Sequence, residues 1–387
     1  MQKTGLIVAA LAGVSAFAMP AAAQGQRGDV IANQYICFFH PEAVPRGLAR
    51  VAAEGAARPN GGRVMHVYTT AARGFSVYAS ERGVQQMVAK NPGIERCKAD
   101  RVVDLGPSPT KGPPFGGTPT PTPTSEVRWD ITRVNGGVDM STKTAWIIDT
   151  GVDLDHPDLV VDTGRSVNFV SKGKDTGPDD LNGHGTHVAG TIAAKKNGKG
   201  MAGVAPGSTV VAVRVLDRNG SGSWSDVLAG IDYVAKNAAA GDVANMSLGG
   251  GADSDIDNAV INASNGIDAN GNDLNKHVFF TLAAGNESDD ANNHSPARAN
   301  GPYIYTISAI DVDDKWAYFS NYGNPPIDFA EPGYSIYSTY KDGGYATLSG
   351  TSMAAPHAAG ILMLGPIKSG GTVADDPDTN KDIIGVH

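Results

Sequence analysis

Residues 143–151 read Lys-Thr-Ala-Trp-Ile-Ile-Asp-Thr-Gly, an apolar run that ends in an acid and a glycine turn. Short apolar runs of this kind are typical of strands buried on both faces of a parallel sheet. Further strands are predicted over 209–216, 243–248, 277–284 and 303–310, and helices over 184–194, 225–237 and 352–364. Strands that alternate with helices predict an α/β fold, with a mostly parallel sheet covered by helices on both faces.

The chain's size and composition narrow the class of protein. It has 387 residues, enough for two or three domains, with 41% hydrophobic and 18% charged residues. The formal net charge of −9 gives no reason to expect a nucleic-acid partner. Two cysteines exclude a disulfide-dense scaffold and a four-thiolate zinc site.

The first 23 residues have the pattern of an export signal. Lys3 is followed by an apolar stretch, Leu6–Met19, and then by small residues ending at Ala23. Gly13 and Ser15 interrupt the stretch, which is short for a membrane anchor. We therefore predict a secreted protein, extracellular or periplasmic, with no membrane attachment after maturation.

Residues 24–104 form a separate unit in the sequence. Its predicted order, β-α-β-β-α-β, is the ferredoxin-like arrangement. Cys37 and Cys97 lie on strands that are neighbours in that topology, so either a disulfide or two buried thiols fits. Residues 1–104 carry 12 Lys and Arg against 7 Asp and Glu, whereas the rest carries 19 against 33. A basic unit joined to an acidic one predicts that the two attract each other.

Residues 105–125 separate the two units. The segment is rich in proline and threonine and ends Thr-Pro-Thr-Pro-Thr-Pro-Thr at 118–124. Such a run cannot pair in a sheet, so we predict an extended, easily cut linker. The acidic unit then occupies residues 126–387.

Four polar residues lie at predicted strand ends or helix starts. Asp149 ends the first strand, His184 begins a helix after Asn182-Gly183, and Ser352 begins another after Gly350-Thr351. A serine that attacks an acyl group needs a histidine base oriented by an acid, and its oxyanion needs donors such as the Asn286 amide. Each motif alone is also compatible with a turn, a core histidine or a helix cap; their combination points to acyl transfer.

Four blocks resemble the signatures of the subtilisin-like serine proteases. They are Ile148-Asp-Thr-Gly151, Asn182-Gly-His-Gly-Thr-His-Val-Ala-Gly190, Ala284-Gly-Asn286 and Gly350-Thr-Ser-Met-Ala-Ala-Pro356. The order Asp, His, Ser is that family's order. The resemblance implies that Asp149 orients His184, that His184 is the general base, that Ser352 is the nucleophile, and that Asn286 donates to the oxyanion. His187 would be structural.

The same resemblance implies the rest of the design. Residues 24–104 would be an inhibitory, folding-assisting propeptide, so that the protein is a self-processing zymogen and a monomer. Polypeptide substrates, broadly apolar in preference, would lie as an added strand. The residues expected to line the substrate site are Ser247, Leu248, Gly249, Ala284, Gly285 and Trp224.

Calcium is the one cofactor that the resemblance implies, in a structural role and not for catalysis. Asp158 and Asn197 match side-chain ligands, and Lys195, Lys199 and Met201 would offer carbonyl oxygens, the ligand type that calcium prefers. Three lysines at 195, 196 and 199 are an unusual surrounding for a cation. The run Asp376-x-Asp378-x-Asn380-x-Asp382 is a second calcium candidate, but it lacks the glycine of a standard calcium loop and is interpreted as a solvated acidic tail. The insertion at 265–275 has no assigned role.

Three other functions are compatible with some of these residues. Asp-Thr-Gly is also the aspartic-protease signature, but its copies at 149, 162 and 175 lie only 13 residues apart, too close for two lobes. A zinc site at His184 and His187 lacks the usual spacing and the glutamate between the histidines. A catalytically inactive binding module is the remaining alternative, although all four chemical positions are filled.

Overall fold

The computed structural model describes residues 25–108, 125–138, 140–170 and 176–387. The predicted export signal and most of the predicted linker therefore lie outside the described residues. The helices are α1 (Ala49–Ala57), α2 (Glu81–Lys90), α3 (Trp129–Arg133), α4 (His184–Ala193), α5 (Trp224–Asn237), α6 (Ser254–Asn265) and α7 (Thr351–Leu364).

The strands are numbered in chain order. The first nine are β1 (Val30–Phe39), β2 (Arg63–Tyr68), β3 (Gly74–Tyr78), β4 (Ile94–Asp104), β5 (Thr144–Asp149), β6 (Val160–Val161), β7 (Val167–Asn168), β8 (Thr209–Arg214) and β9 (Ser221–Ser223). The others are β10 (Val243–Met246), β11 (Gly250–Gly251), β12 (Phe279–Ala283), β13 (His294–Ser295), β14 (Ile304–Ile310), β15 (Ile327–Pro332), β16 (Ile336–Tyr340), β17 (Gly344–Leu348), β18 (Lys368–Thr372) and β19 (Ile383–Val386).

The amino-terminal domain, residues 25–104, has the predicted ferredoxin-like topology. Its antiparallel sheet runs β2-β3-β1-β4 and then continues into β9 of the other domain. The helix predicted over 81–90 begins after Ser80, whose side chain accepts a hydrogen bond from the Gly83 N–H and so caps the helix. Cys37 and Cys97 face each other across β1 and β4 and form a disulfide, which decides between the two alternatives that the sequence allowed.

The acidic domain is built on the predicted parallel sheet. Its strands follow the order β18-β19-β15-β14-β12-β10-β5-β8-β6, and β7 also pairs with β8. All described pairings in this sheet are parallel except β18 with β19. Helices α5 and α6 pack in the core on one face, and α4 and α7 in the core on the other. The predicted fold class is therefore confirmed.

The carboxyl terminus corrects one sequence interpretation. The 376–382 run is not a solvated tail, because Asp382 is only 3% exposed and accepts hydrogen bonds from Ser308 Oγ and Asn324 Nδ2. Burial raises the pKa of Asp382 to about 6. The following strand, β19, pairs with β15 and extends the sheet. The end of the chain is thus part of the folded domain.

The basic and acidic domains contact each other through a docking face, as their charges predicted. We define it by five carboxylates of the acidic domain that bind the amino-terminal domain, namely Asp226, Asp232, Asp253, Asp255 and Asp268. The insertion 265–275, which had no assigned role, lies on this face, where the Ala269 N–H donates to the Thr70 carbonyl oxygen (2.7 Å). Within the described residues, no helix combines the length and apolarity needed to span a membrane.

Candidate active site

Asp149 and His184 are hydrogen-bonded at the carboxyl edge of the parallel sheet. Asp149 is the last residue of β5 and is fully buried; His184 is the first residue of α4. The His184 Nδ1 lies 2.9 Å and 3.0 Å from the two oxygens of the Asp149 carboxylate. The carboxylate accepts a hydrogen bond from the Nδ1–H group, so Nε2 is the unprotonated nitrogen of the neutral ring.

The two histidines of α4 have opposite electrostatic surroundings. Burial disfavours the charged form of His184, but the Asp149 carboxylate outweighs burial, so the pKa of His184 is raised from its ordinary value. Burial, with the charge of His184, lowers the pKa of His187 to about 3. The His187 Nε2 donates to the Ile336 carbonyl oxygen (3.0 Å). His187 therefore stays neutral at neutral pH and bonds to the backbone of β16.

Ser352 is the second residue of α7 and lies beside the end of β10. Its Oγ donates to the Ser247 carbonyl oxygen (3.3 Å), and the Ser247 Oγ donates to the Ser352 carbonyl oxygen (2.9 Å). Ser247 follows β10, which pairs in parallel with β5, so Ser247 and Asp149 lie at the same edge of the sheet on adjacent strands. Adjacent strands are about 4.8 Å apart, which brings Ser352 to the edge that carries His184.

Asn286 is oriented by the start of α7. Its Oδ1 accepts hydrogen bonds from the Thr351 N–H (2.8 Å) and the Thr351 hydroxyl (3.0 Å). Its Nδ2 is thereby left to donate, and it donates to the carbonyl oxygen of Pro107 (3.4 Å). Gly350 has φ +151°, and a Cβ there would lie 3.3 Å from the Asn286 Nδ2. A glycine at 350 therefore keeps the approach to this amide open.

Four of the six expected substrate residues line one pocket. We call it the primary pocket, and its lining includes Leu248, Gly249, Ala284, Gly285, Asn286 and Ser352. Ser247 is buried behind it and binds the Ser352 backbone. Trp224 lies farther along, where its ring contacts Gly250, and Val103 approaches the same glycine.

The end of the amino-terminal domain lies as an added strand between β9 and Gly249. We call the space between these two the cleft. Val103 of β4 pairs with Gly222 of β9, in antiparallel register. Asp104 and Gly249 exchange backbone hydrogen bonds of 3.4 Å and 3.1 Å, and the Leu105 N–H donates to the Gly220 carbonyl oxygen (3.2 Å). This strand takes the position expected for an extended peptide substrate.

The residues expected to bind calcium lie on two segments, before β6 and after α4, and their side chains bond to each other. The Asn197 Nδ2 donates to Asp158 Oδ1 (2.8 Å), and the Tyr345 hydroxyl donates to Asp158 Oδ2 (2.5 Å). The Lys195 Nζ donates to the Pro157 carbonyl oxygen (2.8 Å). Within the described ranges, no group of three or more His, Cys, Asp or Glu residues could hold a metal ion. Among the expected ligands, the side chains of Asp158 and Asn197 are thus already hydrogen-bonded within the protein.

The two rival enzyme sites find no support in the geometry. Asp162, of the second Asp-Thr-Gly, is paired with Arg165 in its own turn, and Asp175 lies outside the described residues. His184 and His187 bond separately, to a carboxylate and to a backbone carbonyl. Asp162 is thus bound within its own turn, and the two histidines bond to different groups.

Sequence reasoning missed Asp180, which organises the loop before α4. One of its carboxylate oxygens accepts from the Thr150 hydroxyl (2.9 Å) and the Gly183 N–H (2.8 Å), and the other accepts from the Thr186 N–H (2.9 Å). It thereby joins the end of β5 to the start of α4 and holds Asp149 and His184 in register. An acid just before a helix start was the only local signal.

Comparisons with known proteins agree with this geometry. The profile described as "Subtilase family" matches residues 146–366. Proteinase R of Parengyodontium album is 32% identical over 343 residues, 87% of this chain and 79% of that protein. Alkaline serine exoprotease A of Vibrio alginolyticus is 47% identical over 225 residues, 57% of this chain, which spans only 38% of that relative's length. The crystal structure of a cold-adapted subtilisin-like serine proteinase is 41% identical, with a TM-score of 0.52, and covers 62% of this chain and 85% of that one.

Proposed function

The chain belongs to the subtilase family of serine proteases, and from that premise we propose that it is a secreted endopeptidase made as a self-processing zymogen. The observation that carries the proposal is the Asp149–His184 pair, with Ser352 seated beside the adjacent strand at the same sheet edge. A relative described as an extracellular serine proteinase, from Thermus sp., supports secretion.

The reaction begins at Ser352. The hydroxyl leaves the Ser247 carbonyl oxygen and gives its proton to the free Nε2 of His184, while Oγ attacks the carbonyl carbon of the scissile peptide bond. Asp149 accepts a hydrogen bond from the Nδ1–H of His184 throughout and stabilises the imidazolium that forms. The chemistry therefore needs His184 neutral at the start of each turnover.

The oxyanion of the tetrahedral intermediate accepts hydrogen bonds from the Asn286 Nδ2 and the Ser352 N–H. As the intermediate breaks down, His184 returns its proton to the leaving amine, and an ester remains on Ser352. Water then attacks the ester while His184 takes its proton, and His184 returns that proton to the Ser352 oxygen as the second product leaves. Oδ1 of Asn286 stays bonded to Thr351, which fixes the amide in the donating direction.

The amino-terminal domain would act as inhibitor and folding partner of the catalytic domain. Its end lies in the cleft as a substrate would, and the Pro107 carbonyl oxygen accepts from the Asn286 amide. We infer that the first cut falls at this end of the cleft strand, beside Asn286 and Ser352.

Calcium enters the proposal only as a stabiliser. Asp158, Asn197 and the carbonyls of Lys195, Lys199 and Met201 would hold it, and it would tie the loop after α4 to the segment before it. No catalytic step passes through the ion. Addition of a chelator should lower the unfolding temperature, and an unchanged unfolding temperature would contradict the calcium site.

The proposal is tested with Ser352→Ala beside the wild type. The wild-type chain should cut itself, label with a fluorophosphonate and hydrolyse peptides, whereas the variant should stay whole and unlabelled. Amino-terminal sequencing of the matured wild type locates the cut. Failure of the matured wild type to label would favour the inactive binding module, and cutting of the variant without added protease would contradict self-processing.

A further inference from the structure

Arg27, near the start of the amino-terminal domain, reaches the primary pocket. The segment that carries it runs beside the end of β4, where the Gly28 N–H donates to the Val102 carbonyl oxygen and the Val102 N–H donates to the Asp29 carbonyl oxygen (both 2.9 Å). From there the Arg27 side chain lines the pocket together with Leu248, Gly249 and Ala284. Nothing in the family-like motifs accounts for an arginine there.

The guanidinium of Arg27 is bound on three sides. Its Nη1 forms an ion pair with the Glu287 carboxylate, and its Nε donates to the Gly249 carbonyl oxygen (3.1 Å). The Asp104 carboxylate lies 3.6 Å from the same Nε. The side chains of Arg27 and Glu287 are only 20% and 21% exposed. The ion pair is therefore partly shielded from solvent and salt.

Gly106 explains why the arginine fits. A Cβ built at Gly106 would lie 3.3 Å from the Arg27 Nη1 and 3.6 Å from the Glu287 Oε1. The space next to this position of the cleft strand is thus occupied by the arginine, and the strand itself offers no side chain to it. Arg27 replaces the missing side chain from a separate segment.

Glu287 is held so that one carboxylate oxygen faces the pocket. Its Oε2 accepts a hydrogen bond from the Asn321 Nδ2 (2.8 Å), and its N–H donates to the Asn321 Oδ1 (2.9 Å). Asn321 is fully buried, and its Nδ2 also donates to the Ala284 carbonyl oxygen (3.0 Å) in the pocket wall. A buried amide thus fixes the carboxylate and leaves Oε1 to bind a cation.

We propose that Glu287 makes the primary pocket a binding site for a guanidinium or ammonium group. Arg27 occupies it in the proprotein, and after maturation it accepts the Arg or Lys side chain that precedes the cut bond of a substrate. The inference rests on the proposed protease function. It adds basic residues to the broadly apolar preference that the family resemblance implies.

The matured enzyme gives the first test. Two peptides that differ only in Arg or Phe before the cut bond are compared, with kcat/KM normalised to the fluorophosphonate-labelled fraction. Glu287→Gln should lower kcat/KM for the Arg peptide at least about tenfold and that for the Phe peptide less than about threefold, because only the Arg peptide loses a shielded charge partner. Asp162→Asn removes the same charge outside the pocket and should change neither.

The proprotein gives the second test. Arg27→Ala should shorten the lag before activity several-fold, whereas Arg27→Lys, which keeps the charge, should have a lag close to that of the wild type. Arg58→Ala, on an exposed part of the same domain, is the control and should have the wild-type lag. The inference would be overturned if Glu287→Gln lowered kcat/KM equally for both peptides, or for neither, and Arg27→Ala left the lag unchanged, in an enzyme that still labels. Absence of labelling would instead overturn the protease function itself.

Discussion

The amino-terminal domain contacts the catalytic domain in two regions with different chemistry. In the cleft, the strand that ends at Leu105 is held by backbone hydrogen bonds to Gly220, Gly222 and Gly249. On the docking face, carboxylates bind side chains and N–H groups of the other domain, as Asp253 does with Lys98. Backbone pairing accepts any extended peptide, whereas the docking face fits one particular partner. Under the proposed zymogen function, the cleft would supply catalysis and the docking face would supply the specificity of inhibition.

The largest effect expected is in the cleft. Asp149→Asn should slow the first self-cut by about 10⁴-fold, because an amide at this position favours the wrong His184 tautomer. The rate is read from the disappearance of the full-length chain. Asp162→Asn, the same change in the other described Asp-Thr-Gly triplet, is the matched control and should cut normally. A slow Asp162→Asn would revive the aspartic-protease interpretation.

The wild type adds a pH test of the same pair. His184 must be neutral to take the Ser352 proton, and its pKa is raised from the ordinary 6.5. The first-cut rate should therefore fall as the pH drops through a midpoint above 6.5. A rate independent of pH between 6 and 8 would contradict His184 as the base.

Contacts on the docking face can be removed without changing the catalytic residues. Asp232 accepts hydrogen bonds from the N–H groups of Thr69 (3.0 Å), Thr70 (2.6 Å) and Ala72 (3.4 Å). Hydrogen bonds to a charged group contribute about 1.5–3 kcal/mol each, not additively, so Asp232→Ala should speed release of the cut domain about 10²-fold or more. The interval from first cut to full activity measures release.

The control for that variant is Asp314→Ala, which removes a carboxylate paired with Arg133 inside the catalytic domain. Both variants should show wild-type kcat/KM once mature. If Asp232→Ala slowed the matured enzyme as well, the docking face and the cleft would not be separable, and the comparison would fail.

Sequence patterns predicted many helices and strands of both domains. They missed one long helix and several short strands. The helix over 81–90 was predicted to its ends, because amphipathic spacing follows a serine cap. Helix α6, Ser254–Asn265, was not predicted, although Asp253 caps it and Ile256 and Val260 face the core. The strands β15, β18 and β19, toward one edge of the sheet, and the separate pair β16 and β17 were also missed, since short strands are fixed by their neighbours and not by local periodicity.

For the site, the sequence could identify residues but not pairings. Asp149, His184, Ser352 and Asn286 were found because glycine-flanked motifs mark them. The pairing of Arg27 with Glu287 joins residues 260 positions apart, and no local pattern marks it. Contacts of this kind depend on how two domains meet, which periodicity and motifs do not encode.

The disulfide offers a way to weaken the inhibitor alone. Both cysteines of the chain lie in the amino-terminal domain, so a reductant that acts on cysteine can act only there. A bridge that closes about 60 residues stabilises a domain by about 2–4 kcal/mol. Cys37→Ser with Cys97→Ser, or dithiothreitol on the wild type, should shorten the lag about tenfold and leave matured activity unchanged. Loss of matured activity under dithiothreitol would contradict this assignment.

The smallest effect expected concerns the insertion 265–275. Arg46 pairs with Asp268 there, but the Arg46 side chain is 41% exposed, and exposed pairs contribute only about 0.2–1 kcal/mol. Arg46→Gln should shorten the lag about twofold to fivefold at low salt and have no effect at 0.5 M salt, where the charges are screened. The Arg46→Gln ratio is measured at both salt concentrations beside Arg58→Ala. An Arg46→Gln effect that persists at high salt would mean that the insertion holds the domain by shape and its backbone contact at Thr70, in the manner of the cleft, and the division between the two regions would have to be redrawn.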